Sequence, residues 1–245
     1  MNERWIAADF GNTRLKLLVH DDLEIIYYGE NWLLELEAFF KEGDKVYYSS
    51  VKDFRLKEAK KLLKDHVEFV NAVHDLQREK ILKYKHIKGI GHDRLFGLLG
   101  AADQYGFPVI TIDSGTATTI NVANHNGICL GGAIMPGLST QLKSLNLATE
   151  GLSKIHKLIF KGNACGEDTA EAMSIGIIRG TVGAVKEIIA KIVYEEFKGE
   201  FPSIVITGGN AKIIYIELYE WNKDIKYDEA LVLHGINKMI NDLSK

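Results

Sequence analysis

Apolar and polar positions alternate in short runs along the first half of the chain, and these runs predict strands interrupted by helices. Glycine, asparagine and aspartate bound the strand-like runs, as is typical of turns. Two stretches have apolar residues at helical spacing, and each follows a residue that can cap a helix, Asn31 or Asp53. The predicted strands are residues 4–9, 14–20, 23–28, 46–51 and 67–70, and the helix after Asn31 is predicted to reach about residue 41.

The second half of the chain repeats this order of elements. The predicted elements are strands at residues 109–112, 118–122, 128–131 and 203–207, a helix after residue 137, a long helix from Asp168 to about residue 197 and two final helices. Three strands, a helix, a strand and a helix, found twice, are typical of duplicated RNase-H-like lobes. We therefore predict an α/β protein in which each lobe is a mixed sheet with flanking helices, with an N-terminal lobe of residues 1–106 and a C-terminal lobe of residues 107–245.

The two halves also share a short motif where their first strand ends. The segment DFGNT begins at Asp9, and the segment DSGTATT begins at Asp113. Each has an Asp, a Gly two positions later and then small polar residues, after an apolar run. This duplication indicates two similar lobes with the phosphates of a nucleotide between them, and it makes the chain a candidate phosphotransferase.

The first motif has the chemistry of a phosphate-binding turn. Backbone N–H groups of a glycine turn form an anion-binding concavity, and Gly11 can adopt positive φ there without strain. Asn12 and Thr13 add side-chain donors. Asp9 could hold Mg²⁺, directly or through water, where phosphates supply the other oxygen ligands, and Lys16 could offset γ-phosphate charge. A plain hairpin with an Asp at its corner is the alternative.

Two further groups carry candidate chemistry. In the second motif, Thr116 could donate to a phosphate and Asp113 could bind a divalent or monovalent cation, although a hydroxyl-rich hairpin has the same residues. In the segment GHDR, the Asp93 carboxylate could accept the proton of an attacking hydroxyl, and the Arg94 guanidinium could bind a substrate carboxylate or phosphate. The spacing alone favours a structural role, in which Asp93 caps a helix over residues 95–102 and Arg94 is exposed.

Composition narrows the function classes. The chain has 245 residues, of which 46% are apolar and 26% charged, as expected for a globular protein with a substantial core. Its net charge of −3 gives no reason to expect nucleic acid or an acidic membrane as a partner. The 2 cysteines and the histidine spacing indicate neither a disulfide framework nor a zinc site. We see no signal peptide and no membrane-spanning run, and we expect a cytoplasmic protein.

Taken in order, these motifs resemble those of the type III pantothenate kinases. That family belongs to the superfamily of acetate kinases, sugar kinases, actin and heat-shock chaperone ATPases. The resemblance covers nearly the whole chain. It is carried by residues 9–16, 91–94 and 113–119, by a glycine-rich strand-to-helix junction at residues 131–137, and by Asp168-Thr169.

The resemblance implies a role for each matching residue. ATP would be bound by Asp9, Phe10, Gly11, Asn12, Thr13, Arg14, Leu15, Lys16 and Thr116, and pantothenate by Tyr84, Gly91, His92, Asp93, Arg94 and Thr169. Asp93 would accept the proton of the pantothenate hydroxyl, and Arg94 would face its carboxylate. Asp113 would bind a monovalent cation, K⁺ or NH₄⁺. Thr169 would reach pantothenate from the partner subunit of a homodimer.

The implied function is ATP- and Mg²⁺-dependent phosphorylation of pantothenate to 4′-phosphopantothenate, the first step of coenzyme A biosynthesis. Two alternatives remain open. One is a non-catalytic relative, such as an accessory factor for transcription. The other is a kinase for a different small hydroxylated acid. The pairing of Asp93 with Arg94, together with Tyr84, favours an acidic substrate such as pantothenate.

Overall fold

The computed structural model describes residues 4–19, 22–50, 53–76, 81–149 and 154–243, and the predicted strand ends at residues 20 and 51 lie outside these ranges. The chain divides into two units, of which the first is Met1–Gly106 with Ala230–Lys245 and the second is Phe107–Glu229. The sequence assigns residues 107–245 to one lobe. In the structure, the last part of that range groups with the first unit instead.

Five strands form the sheet of the first unit: β1 (Trp5–Phe10), β2 (Arg14–Val19), β3 (Asp22–Tyr27), β4 (Asp44–Ser50) and β5 (Val67–Asn71). Their order is β3-β2-β1-β4-β5, with β2 antiparallel to β1 and β3, and β4 parallel to β1 and β5. The helices are α1 (Trp32–Phe39), α2 (Asp53–Leu63), the unpredicted short α3 (Ala72–Leu76) and α4 (His92–Tyr105). Asn31 precedes α1, but its side chain makes no capping hydrogen bond.

The second unit has the same sheet topology. Its strands are β6 (Val109–Ser114), β7 (Ala117–Ala123), β8 (Cys129–Pro136), β9 (Ser203–Thr207) and the two-residue β10 (Lys226–Tyr227), in the order β10-β9-β6-β7-β8. Its helices are α5 (Leu138–Ala148), α6 (Thr169–Phe197) and α7 (Ala211–Trp221), and α8 (Leu231–Leu243) then ends the described chain. Reading the second sheet from its other edge gives the strand order of the first. The prediction of duplicated RNase-H-like lobes is therefore confirmed.

In each unit, one face of the sheet packs into a helix-covered apolar core. Ile6, Ala8 and Phe10 of β1 are fully buried in the first core with residues of α1 and α2. Ile110 and Ile112 of β6 are fully buried in the second core with residues of α5, α6 and α7. Because side chains alternate along a strand, the aspartate in each duplicated motif lies on the face opposite these residues.

The packing of α8 on α4 explains why the end of the chain belongs to the first unit. The two helices approach so closely that a Cβ atom at Gly100 would overlap the Leu231 carbonyl oxygen, and one at Gly235 would overlap the Phe96 carbonyl oxygen. At the end of this contact, the Lys238 ammonium pairs with the carboxylates of Asp103 and Asp242, each at 3.2 Å. The small side chains thus permit a backbone contact that larger ones would prevent.

Over the ranges that the structure covers, no helix has both the length and the apolar character needed to span a membrane, and this holds even for α6 with its 29 residues.

We expect Gly100→Ala to destabilise the first unit strongly. The added methyl group meets backbone atoms of α8, which cannot rotate away, and overpacking of this kind typically costs about 1–3 kcal/mol of unfolding free energy. Urea denaturation followed by circular dichroism measures the change.

Gly97→Ala, one turn earlier on α4, is the matched control. A Cβ atom at Gly97 has no heavy atom within 4 Å, and alanine favours the helix by about 1 kcal/mol over glycine. This variant should therefore be neutral or more stable than the parent protein. Equal losses of stability in both variants would contradict the proposed importance of the helix contact.

Candidate active site

A row of three polar side chains crosses the centre of the first sheet near the end of β1. In the register of the sheet, Asp9 lies directly beside Lys16 on the antiparallel strand β2 and beside Ser49 on the parallel strand β4. Lateral neighbours in a sheet share a face, so all three side chains lie opposite the apolar core. Lys16 is only 8% exposed and Ser49 only 1%. We call Lys16, Asp9 and Ser49 the polar row.

The turn between β1 and β2 is tight. The Gly11 N–H donates to the Asp9 carbonyl oxygen at 3.1 Å, and the Tyr28 N–H donates to the Thr13 carbonyl oxygen at 3.4 Å. Asn12 is exposed, as is Thr13. The expectation for Gly11 needs correction, because its φ is not positive. Glycine instead avoids a tight contact, because a Cβ atom there would lie 3.1 Å from the Arg14 carbonyl oxygen.

The structure separates the predicted ATP-binding residues by the direction of their side chains. Phe10 and Leu15 are fully buried in the first core, so only their backbone groups remain to contact a ligand at this turn. The Arg14 side chain is half-buried, with its guanidinium 3.5 Å from the Tyr27 hydroxyl. Arg14 shares a face with Lys16, because side chains alternate along a strand. Asn12, Thr13, Arg14 and the polar row are thus the side chains of this region suited to phosphate or metal.

Tyr28, which follows β3, adds a feature that the sequence did not reveal. Its ring packs edge-on against Trp32 at 5.1 Å, and the Arg55 guanidinium lies 4.9 Å from its centre. Burial raises the pKa of the Tyr28 phenol, the Asp9 carboxylate raises it further, and Arg55 opposes both effects. The hydroxyl is buried and has no hydrogen-bond partner among the described residues. The negative charge of Asp9 thus affects the Tyr28 phenol. The alternation of side chains along a single strand could not have shown this.

The GHDR segment forms the first turn of α4. Gly91 is the residue that precedes the helix, and Asp93 is its second residue rather than the helix cap that the spacing favoured. One Asp93 carboxylate oxygen accepts a hydrogen bond from the Arg94 backbone N–H at 2.9 Å. A Cβ atom at Gly91 would lie 2.5 Å from that oxygen, so glycine leaves room for the carboxylate. His92 is exposed, whereas Asp93 and Arg94 are half-buried.

Tyr84 lies in the irregular segment that leads to α4. Its carbonyl oxygen accepts a hydrogen bond from the Ile87 N–H at 2.8 Å. The side chain is half-buried, and this burial raises the pKa of its phenol. Tyr84, Asp93 and Arg94 all belong to the first unit.

In the second unit, the turn after β9 closes around Asp113. In the register of the sheet, Asp113 lies directly beside Thr119 on β7 and beside Thr207 on β9. Gly208 has φ of +104°, and a Cβ atom there would overlap an Asp113 carboxylate oxygen. The Asn210 backbone N–H donates to the Ser114 carbonyl oxygen at 2.8 Å. Residue spacing along the chain could not show that this strand-to-helix turn abuts Asp113.

Thr116 is exposed at the tip of the turn between β6 and β7. Its carbonyl oxygen accepts hydrogen bonds from the Gly137 N–H at 3.0 Å and the Thr140 hydroxyl at 2.7 Å. The glycine-rich segment is a strand-to-helix junction as expected, but strand β8 is longer than predicted and continues to Pro136, directly before Gly137 and α5. The start of α5 therefore holds the turn that presents Thr116.

Thr169 is the exposed first residue of α6. The predicted cap is confirmed, because the Asp168 carboxylate accepts a hydrogen bond from the Glu171 N–H at 2.8 Å. Glu171 in turn accepts from the Glu167 N–H at 3.1 Å and pairs with Lys161. Lys161 and the Glu167 N–H lower the pKa of the Glu171 carboxyl group. Thr169 thus lies at a fixed helix start in the second unit.

Apart from Tyr84, the predicted site residues lie in four local groups: the polar row with its turn, the first turn of α4, the turn after β6, and the start of α6. A sequence profile described as type III pantothenate kinase matches residues 5–191. The chain belongs to the type III pantothenate kinase family. It is therefore a kinase by family, as the resemblance of its motifs predicted.

Relatives in this family match over the whole of the chain or most of it. The type III pantothenate kinase of Finegoldia magna is 29% identical, and the match covers 100% of this chain and 99% of the relative. The type III pantothenate kinase of Persephonella marina is 32% identical, over 84% of this chain and 82% of the relative.

Solved structures agree on the fold. A conserved Campylobacter jejuni protein described as a Baf family transcriptional activator has a TM-score of 0.65 at 22% identity, covering 98% of both chains. An archaeal actin homolog has a TM-score of 0.56 at 12% identity, covering 98% of this chain and 99% of its own. At these identities the likeness shows the fold alone, which is that of actin-like ATPases.

We expect Asp9→Asn to lower the pKa of Tyr28, because the substitution removes the negative charge that opposes phenolate formation. Arg55→Gln should raise that pKa, because it removes a positive charge. NMR titration of tyrosine ring carbons measures both changes. A Tyr28 pKa that is the same in the parent and Asp9→Asn proteins would contradict the proposed proximity of these groups.

The same shift makes stability depend on pH. The folded-state pKa of Tyr28 lies above the ordinary value of about 10. Above pH 10, the unfolded chain therefore loses a proton that the folded protein keeps, and stability falls as the pH rises. Tyr28→Phe should remove this part of the alkaline destabilisation.

Proposed function

We propose that this protein transfers the γ-phosphate of ATP to the primary hydroxyl of pantothenate, giving 4′-phosphopantothenate in the first step of coenzyme A biosynthesis. The observation that carries this proposal is the pairing of Asp93 and Arg94 on the first turn of α4, in a chain that belongs to the type III pantothenate kinase family. The two side chains supply a proton acceptor and an anion-binding group side by side. A substrate with both an alcohol and a carboxylate requires a proton acceptor for the alcohol and a cationic group for the carboxylate.

Asp93 is proposed to accept the proton of the attacking hydroxyl. One Asp93 carboxylate oxygen accepts a hydrogen bond from the Arg94 backbone N–H. The second oxygen can accept a hydrogen bond from the substrate hydroxyl. The Arg94 guanidinium would bind the pantothenate carboxylate, ideally through two parallel hydrogen bonds. Together, the two groups would orient the hydroxyl toward the γ-phosphate, and positioning of this kind provides much of the catalysis in phosphoryl transfer. Gly91, His92 and Tyr84 would line the same pocket.

The polar row and its turn are proposed to bind the phosphates of ATP. Backbone N–H groups of residues 9–16 can bind phosphate oxygens, and the Lys16 ammonium would offset their charge. The described residues contain no group of three or more His, Cys, Asp and Glu side chains that could hold a metal. The single carboxylate of Asp9 fits Mg²⁺, which is usually held by one or two carboxylates, waters and substrate phosphates. Asp9 would hold the ion, and bound Mg²⁺ would neutralise phosphate charge.

The second unit is proposed to supply three further contacts. Thr116, exposed at its turn, would contact ATP. Asp113 lies beside the neutral hydroxyl residues Thr119 and Thr207, and such oxygen donors suit a weakly hydrated monovalent cation, K⁺ or NH₄⁺. Thr169 would contact pantothenate bound to the partner subunit of a homodimer. The exposed position of Thr169 at the start of α6 supports this proposal.

Incubation with ATP, Mg²⁺, K⁺ and pantothenate should give 4′-phosphopantothenate, detected by mass spectrometry. Asp93→Asn should lower turnover by about 10²-fold or more, the usual contribution of a general base, while ATP binding is retained. Normal turnover in Asp93→Asn would exclude Asp93 as the base.

Asp103→Asn is the matched control, because it removes a carboxylate from the same helix at an exposed position. It should keep the activity of the parent protein. If the parent protein binds ATP but gives no product, a different small hydroxylated acid becomes the substrate to test, and a non-catalytic role becomes the alternative.

Activity should require K⁺ or NH₄⁺. Replacing K⁺ by Na⁺ at constant ionic strength should lower turnover, because the smaller and more strongly hydrated ion fits neutral oxygen donors less well. Asp113→Asn should have low activity that no longer responds to the choice of cation. Equal turnover of the parent protein in Na⁺ and K⁺ buffers would contradict the role proposed for Asp113.

A further inference from the structure

A buried hydroxyl lies beside the aspartate of each duplicated motif. Ser49 is the neighbour of Asp9 on the parallel strand β4, and Thr207 is the neighbour of Asp113 on the parallel strand β9. Ser49 is 1% exposed and Thr207 is 3% exposed. Among the residues that the structure describes, neither hydroxyl oxygen has a hydrogen-bond partner. Ser49 belongs to none of the motifs that the sequence made prominent.

A hydroxyl that is buried without a partner is unfavourable for folding. It gives up hydrogen bonds to water and gains none within the protein, so each such group calls for an explanation. A small apolar residue would fill the Ser49 position without this cost. The stability of the protein alone therefore does not explain a serine at this position.

Other buried hydroxyls in the sheets also lack partners, but their position differs from that of Ser49. The Ser50 oxygen is one of them. Ser50 pairs with Phe10 and lies on the face that packs into the apolar core. Ser49 instead shares a face with the Asp9 carboxylate and the Lys16 ammonium. Only Ser49 of these two neighbours is therefore directed toward charged groups.

The repetition in the second unit supports a functional reading. Each unit has a hydroxyl side chain beside its aspartate. The residue is a serine in the first unit and a threonine in the second, so the shared feature is the hydroxyl group. Both positions lie at the carboxyl ends of parallel strands, which is where α/β sheets bind ligands. A hydroxyl can both donate and accept, so it can bond to metal-bound water or to phosphate oxygen.

We propose that Ser49 is a positioning residue for the divalent cation that Asp9 holds. Its hydroxyl bonds to a water molecule in the coordination shell of the cation and so fixes the cation and the attached phosphates relative to the sheet. Mg²⁺ keeps several waters when it binds through one carboxylate, and groups that bond to the ligands of a metal orient those ligands. This inference rests on the nucleotide-binding part of the proposed function.

The test compares Ser49→Ala with Ser49→Thr, which keeps the hydroxyl in the form found at residue 207, and with Ser50→Ala as the control. The affinity for a non-hydrolysable ATP analogue is measured by calorimetry, once with Mg²⁺ and once with EDTA. With Mg²⁺, Ser49→Ala should bind at least tenfold more weakly than the parent protein, as is usual when a group that orients metal ligands is lost. Ser49→Thr and Ser50→Ala should bind as the parent does.

A second readout separates this role from a structural one. Removing an unpartnered hydroxyl should leave the melting temperature of the ligand-free protein unchanged or higher, whereas removing a group that supports the fold should lower it. Unchanged Mg²⁺-dependent affinity in Ser49→Ala would overturn the proposal. A loss of affinity of the same size in EDTA would also overturn it, because the hydroxyl would then act on the nucleotide rather than on the cation.

The experiment does not depend on turnover. If the parent protein binds the analogue with Mg²⁺ but forms no phosphopantothenate, the proposed reaction fails while a Mg²⁺-dependent loss in Ser49→Ala still supports the role of Ser49. If product forms and Ser49→Ala binds normally in Mg²⁺, the reaction stands and the role of Ser49 is excluded.

Discussion

The pairing of β1 with β2 and β4 is the constraint on which the first half of the site depends. Phe10 and Asp9 are neighbours on β1, so the burial of Phe10 in the core fixes the direction of the Asp9 carboxylate. A shift of one residue in register would exchange their faces. It would place a charge in the apolar core, which is costly without a partner, and would expose an aromatic side chain whose burial is worth about 1.5–3 kcal/mol. Core packing therefore selects the register that assembles the polar row.

The second sheet directs its aspartate in the same way, but the residues beside that aspartate differ. Ile112 is buried in the second core and Asp113 lies on the other face. The residue opposite the aspartate is Lys16 in the first sheet but Thr119 in the second. One carboxylate thus has an ammonium beside it, which suits phosphate, and the other has neutral hydroxyls, which suit a bound cation. Duplication of the fold provided two equivalent positions, and single side chains gave them different chemistry.

Much of this structure could be predicted from the chain because the strands, the turns and the Asp168 cap depend on residues close together in sequence. The α4 start was misjudged because Asp93 is a good cap residue by type, whereas the residue that precedes the helix is Gly91, two positions earlier. Ser49 and Tyr28 were missed because their importance lies in the residues beside them on other elements. Sequence spacing cannot show register across a sheet. The roles of Asp93, Asp113 and Thr169 remain predictions from the family resemblance.

The division of the chain has a consequence for the order of folding during synthesis. The first unit needs α8 to cover α4, and α8 is synthesised after the whole of the second unit. Residues Phe107–Glu229 form the second unit without any later segment. On the ribosome, the second unit can therefore complete its core while the first still lacks a helix, which reverses the usual order in which N-terminal domains fold first. Until α8 is available, the face of α4 that packs on it stays uncovered.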